Sequence, residues 1–115
     1  MRAWQAAALT AAALILPVAG SAQSPSGPAA GQALYRERCG ICHAAGGTGA
    51  FMLERRLGKE RALLAERSDL TAEYVRQVVR HGLQSMPRFT RVELTDTELA
   101  AVAAFLASPK EPPQH

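Results

Sequence analysis

Cys39-Gly40-Ile41-Cys42-His43 is the one stretch of this 115-residue chain in which reactive side chains cluster at a fixed spacing. On a helical turn, residues i, i+3 and i+4 share a face, so two thiols and an imidazole can be offered together to one planar partner. C-x-x-C-H is the attachment motif of c-type haem, in which each thiol forms a thioether to a porphyrin vinyl group and the adjacent imidazole reaches the iron from the proximal side. A zinc site needs four ligands. This motif supplies three, and no second cysteine pair completes it, since the chain has 2 Cys. A thioredoxin-like redox pair belongs in a βαβ context. A disulfide between Cys39 and Cys42 suits an exported chain, but it closes a tiny loop and leaves His43 unexplained. The reading adopted is one covalent haem c, anchored by Cys39 and Cys42, with His43 as proximal iron ligand.

The residues around the motif predict an all-α fold of three to five helices, because apolar positions recur at helical spacing and no run of alternating β-branched residues occurs. A helix from Gln32 into the cysteines places Leu34 and Tyr35 on its inner side. A second begins near Thr71, buries Val75, Val78 and Val79, and stops at Gly82, where a left-handed residue is expected. The last is the clearest. Thr95 and Glu98 form a capping box, Leu94 can staple onto Leu99, and Leu99, Val102, Ala103 and Leu106 make one apolar stripe. Between the first two, residues 51–64 hold two short helical patterns interrupted at Gly58.

A chain of 115 residues builds one domain, and with 5% aromatic residues its core is thin. Domains this small usually need a staple, metal or cofactor. Length and composition exclude a multidomain enzyme, a repeat array and a polytopic membrane protein. Residues 1–22 pair one early cation with an apolar run from Ala6 to Val18 and small residues up to Ala22. That is the pattern of a secretory signal, with cleavage expected after Ala22, and the run is short for an uncleaved anchor. Residues 23–30 read as a flexible Pro/Gly/Ser linker, 31–107 as the folded domain, and 108–115 as a Pro-rich tail.

The sixth iron ligand has few candidates once Met1 leaves with the signal. Met52 follows His43 too closely for a chain that must still travel to the distal face. Met86 lies farther on, just past the Gly82 stop, and Pro87 biases it toward an extended conformation. It is the expected distal ligand. His81 is the competitor, which would give a bis-His haem, and His115 is the remaining imidazole.

Taken in order, Gly31-Gln32-Ala33-Leu34-Tyr35, the C-x-x-C-H motif, Gly82-Leu83-Gln84-Ser85-Met86-Pro87, and Leu94-Thr95-Asp96-Thr97-Glu98-Leu99 leading to Phe105-Leu106 resemble a small class I bacterial cytochrome c. The resemblance covers essentially all of 31–107. It implies that the first and last helices cross at close range, with Gly31 and Tyr35 meeting Val102 and Phe105. Residues 71–89, TAEYVRQVVRHGLQSMPRF, also resemble the cytochrome subunits that accept electrons from flavin enzymes oxidising para-substituted phenols. Two features depart from the commonest pattern: Ala44 after the haem histidine, and an Arg-rich stretch between Gly49 and Asp69.

Net charge is +3, but its distribution is uneven: residues 51–91 hold nine Lys/Arg against five Asp/Glu, and 92–115 hold one against four. Arg76, Arg80, Arg88 and Arg91 surround the Met86 segment and are candidate docking residues for a redox partner. The plainer account is a solvated face on which Glu73 pairs Arg76. Arg55 or Arg56 is a candidate to neutralise a haem propionate. The expected function is a soluble periplasmic electron carrier, not an enzyme, whose donor is a flavin- or quinone-dependent dehydrogenase. Neither a nucleic-acid partner nor a membrane span after signal cleavage is expected. The alternative is a haem enzyme or gas sensor with an open distal site.

Overall fold

The computed structural model describes Gly20 and residues 26–110. The expected signal segment therefore lies outside the described residues except at Gly20, as do residues 23–25 and 111–115. Five α-helices follow in order: α1 Pro28–Arg38, α2 Gly40–His43, α3 Thr48–Leu57, α4 Ala72–His81 and α5 Asp96–Ala107. Two 3-10 turns, Lys59–Arg61 and Leu64–Glu66, bridge α3 to α4. Among the described residues there is no strand, only one isolated bridge between Leu83 and Met86.

Helix α1 starts inside the stretch expected to be linker, at Pro28. A first-turn proline has its φ preset for helix and lacks an N–H that would go unpaired there anyway, so a residue counted as linker composition is in fact a helix start. Gly31, Leu34 and Tyr35 form the buried face of α1. Helix α4 opens on Thr71, whose hydroxyl accepts from the Tyr74 N–H at 3.2 Å, and closes on Gly82 at φ 77. The helical patterns around Gly58 resolve into α3 and the first 3-10 turn, parted by Gly58 at φ 91.

Helix α5 carries the reciprocal cap its sequence predicts. Thr95 N–H donates to Glu98 Oε2 at 2.8 Å, and Glu98 N–H donates back to Thr95 Oγ1 at 3.2 Å. Leu94 and Leu99, the expected staple pair, are 1% and 2% exposed. Removing the hydroxyl in Thr95→Ala leaves the Glu98 N–H without its partner, and such caps are worth about 1 kcal/mol. For a domain of this size that lowers Tm by roughly 4–8 °C. Thermal denaturation of the variant with an unchanged Tm would show that tertiary packing, not the cap, sets the start of α5.

The crossing of α1 and α5 organises the core. A Cβ placed on Gly31 would sit 1.9 Å from the Ala101 carbonyl oxygen and 2.9 Å from Phe105 Cβ, so the two backbones touch where a side chain would otherwise stand. Next to that contact the Tyr35 and Phe105 rings meet at 5.6 Å, tilted by 49°. Ala101 joins the expected stripe of α5 as a buried residue, because α5 packs on α1 as well as on α4. Val75 and Val79 of α4 are buried in the same core. Val78, expected to be buried with them, is only half-buried, and it borders a cavity instead. No helix among the described residues is long and apolar enough to cross a membrane.

Candidate functional site

One cavity of about 600 Å³ opens between α1–α2, α3, α4 and the turn at 83–86. Its volume lies within the range of small-molecule and cofactor sites. Val75, Val78, Val79, Leu94, Val102 and Leu106 supply apolar walls. Cys39, Cys42 and His43 border it, and so does Met86.

Helix α2 is a single turn, and its hydrogen bonds explain why three reactive side chains share one wall. Cys42 and His43 both donate their N–H to the Cys39 carbonyl, at 3.1 and 2.9 Å, while Cys39 N–H returns to Tyr35 O at 2.9 Å. The Tyr35 hydroxyl donates to His43 O at 3.4 Å, tying the end of the motif to α1. Burial, with the nearby Cys42 thiol second, pushes the Cys39 thiol up to about 11, so it stays protonated at neutral pH. Burial also holds His43 below the usual imidazole value, which favours the neutral ring, the form that donates a lone pair to a metal.

The His43 ring tests whether the site fits a haem. Its Nδ1 is buried without a hydrogen-bond partner, and a Cβ on Gly49 would fall 3.2 Å from that atom. The Nδ1–Cε1 edge therefore lies beside Gly49, in a ring that borders the cavity. A buried ring nitrogen without a partner marks a side chain whose place is not set by the protein's own hydrogen bonds. Residues 47–49 allow this fit, since a Cβ on Gly47 would lie 2.4 Å from the Cys42 carbonyl oxygen. Sequence reasoning passed over these glycines. Their clustering directly after the motif was the available signal.

Met86 is delivered by a tight turn. Leu83 N–H donates to Met86 O at 3.1 Å and Met86 N–H to Leu83 O at 3.0 Å, directly after the Gly82 stop. Met52 is 47% exposed and does not border the cavity. His81 is exposed as well, with Nδ1 2.9 Å from Gln77 O, and it faces a different concavity. The structure thus brings Cys39, Cys42, His43 and Met86 together and leaves Met52 and His81 out; His115 lies outside the described residues.

The four arginines expected at the docking rim are placed elsewhere. Arg76, Arg80, Arg88 and Arg91 line the other concavity together with His81, and none borders the large cavity. For Arg76 and Arg80 the reason is helical geometry: Val75, Val78 and Val79 of α4 face the core and the cavity, so residues clear of them face away. Arg80 donates to Phe89 O at 3.1 Å and to Asp96 at 2.7 Å, and Arg91 donates to the same carboxylate at 2.8 Å. These bonds pin the segment after Met86 onto α4. Arg76 pairs Glu73 at 3.5 Å, the pairing the sequence offered.

The cations that do border the cavity are Arg38, Arg56, Arg61 and Arg67. Arg67, with a side chain 10% exposed, and Arg61 share the Asp69 carboxylate. The hydrogen bonds from Arg67 and Arg61 hold Asp69 well below the usual carboxylate range. Two guanidiniums on one carboxylate leave an excess positive charge beside apolar walls, which fits the propionates of a haem. Of the two propionate candidates named from sequence, Arg56 borders the cavity, whereas Arg55 lies over the Phe51 ring at 5.7 Å.

An all-helical fold with a C-x-x-C-H turn and a methionine turn bordering one apolar cavity is the architecture of a cytochrome c domain. Residues 26–106 match the family described as Cytochrome C oxidase, cbb3-type, subunit III, and the chain belongs to this cytochrome c family. It is also similar to the 4-cresol dehydrogenase (hydroxylating) cytochrome c subunit of Pseudomonas putida, with 32% identity over 94 residues that cover 82% of this chain and 73% of the relative. Both resemblances read from the sequence are met. Membership carries haem binding and electron transfer as the general function.

Proposed function

We propose that this chain is an exported monohaem electron carrier that takes electrons one at a time from a periplasmic dehydrogenase and passes them to a further acceptor. One haem c is held through thioethers to Cys39 and Cys42 and ligated by His43 and Met86. The observation that carries this reading is the convergence of these four side chains on a single cavity. When bound, haem supplies a one-electron Fe(III)/Fe(II) couple. His43 offers a neutral imidazole and Met86 a thioether. With both engaged no position is left for a substrate, so the chain transfers electrons and leaves catalysis to its partner. Thioether ligation raises the potential. With haem bound, the valine and leucine walls would keep water away, and Arg61 and Arg67, which share the Asp69 carboxylate, would offset propionate charge. A dehydrogenase as donor is supported by the relative being such an enzyme's cytochrome subunit. Export is supported by the sequence of residues 1–22.

Denaturing mass analysis of protein recovered from the periplasm tests the attachment. The expected species is a chain beginning at Gln23 with one haem added. An unmodified polypeptide carrying a Cys39 to Cys42 disulfide would overturn the assignment.

A further inference from the structure

Gln84 has φ 55 and is the one non-glycine residue with positive φ among the described residues. For a side chain with a Cβ this left-handed region is sparsely populated, and it persists only where the surroundings enforce it. Two constraints do so here. Leu83 and Met86 exchange hydrogen bonds on either side of Gln84, and Gln84 Oε1 accepts a hydrogen bond from Arg56 Nη1 of α3. Both Arg56 and Gln84 border the cavity.

The two ends of this bond belong to different walls. Helix α3 starts beside the Cys42 carbonyl and the His43 ring and carries Arg56 in its last turn. Gln84 is two residues from Met86 in a turn closed by two backbone hydrogen bonds. We propose that Arg56 and Gln84 form a latch that positions the distal turn and holds Met86 over the cavity, a reading that rests on Met86 being the iron ligand. Both are positioning residues. The bond ties the turn that carries Met86 to α3, so a displacement of Met86 that moves the turn must break it. The latch therefore stabilises the ligated arrangement by whatever that bond contributes.

Imidazole binding to the ferric holoprotein reads this directly, because imidazole must displace Met86 and the sulfur-to-iron charge-transfer band disappears as it does so. One net hydrogen bond corresponds to a change of about three- to tenfold in the affinity of a competing ligand. Gln84→Ala and Arg56→Ala should each raise imidazole affinity by that factor. The double variant should show no further gain, since both single changes remove the same bond. Gln84→Glu, which keeps an acceptor for Arg56, should restore near-original affinity. Unchanged affinity in Gln84→Ala, or additive effects in the double variant, would overturn the latch. So would an effect of Arg56→Ala alone, which would mean that Arg56 acts through its charge on the haem. A charge-transfer band missing from the unmutated ferric protein would instead overturn the Met86 assignment, and the latch with it.

Discussion

Met86→Ala is expected to abolish the sulfur-to-iron charge-transfer band of the oxidised protein and to let the reduced protein bind carbon monoxide. The distal turn would remain, because its hydrogen bonds run between the backbones of Leu83 and Met86 and do not involve the thioether. What changes is the coordination sphere. Axial ligands set haem potentials over a range of roughly 0.8 V, so loss of the thioether should lower the midpoint potential by a sizeable share of that range. Met52→Ala should leave band, potential and gas binding as they were, since Met52 lies outside the cavity lining. His81→Ala should do the same, since that ring faces away beside Arg76 and Arg80. If His81→Ala alone produced the changes expected of Met86→Ala, a bis-His haem would replace the assignment made here.

Gly31→Ala is expected to be the most destabilising single-methyl addition in the fold. The new Cβ would meet the Ala101 carbonyl oxygen at 1.9 Å and Phe105 Cβ at 2.9 Å. A carbonyl in the middle of α5 cannot rotate aside, so the helices must separate. Overpacking of a close contact typically costs 1–3 kcal/mol, and this one falls at the upper end, about 3 kcal/mol. In a domain of this size that corresponds to a Tm lower by roughly 12–24 °C. Ala33→Ser, on the exposed side of the same helix, should change stability by no more than about 0.5 kcal/mol. The effect should also reach the haem, because Tyr35 and Val102 lie at the crossing and border the cavity. A Gly31→Ala protein melting within a few degrees of the original would mean that the α1–α5 contact is looser than described.

What could be read from the sequence was what local chemistry decides. The capping box at Thr95 and Glu98, the stop at Gly82 and the single-turn spacing of Cys39, Cys42 and His43 each depend on residues a few positions apart. Met86 emerged from a short inventory of possible ligands rather than from any motif. The start of α1 was hidden because Pro28 looks the same in a linker as in a first turn. Long-range placement was hidden for a different reason. Arg61 ends the first 3-10 turn and Arg67 follows the second, turns that have no extended periodicity, and nothing in their spacing reveals that Asp69 gathers both beside the cavity. The Arg-rich stretch was visible only as a departure from the common pattern. Two of the arginines near Met86 in sequence went the other way, since α4 turns its valines to the core and cavity and carries Arg76 and Arg80 to the far side.

The central claim is that His43 and Met86 both occupy the iron and leave no open position, which makes the chain a carrier and not a catalyst or sensor. Exposing the reduced, unmutated holoprotein to carbon monoxide tests it most directly. The account predicts an absorption spectrum unchanged by the gas. A carbon monoxide complex formed without mutation would contradict it, and would place this protein among those with an open distal site.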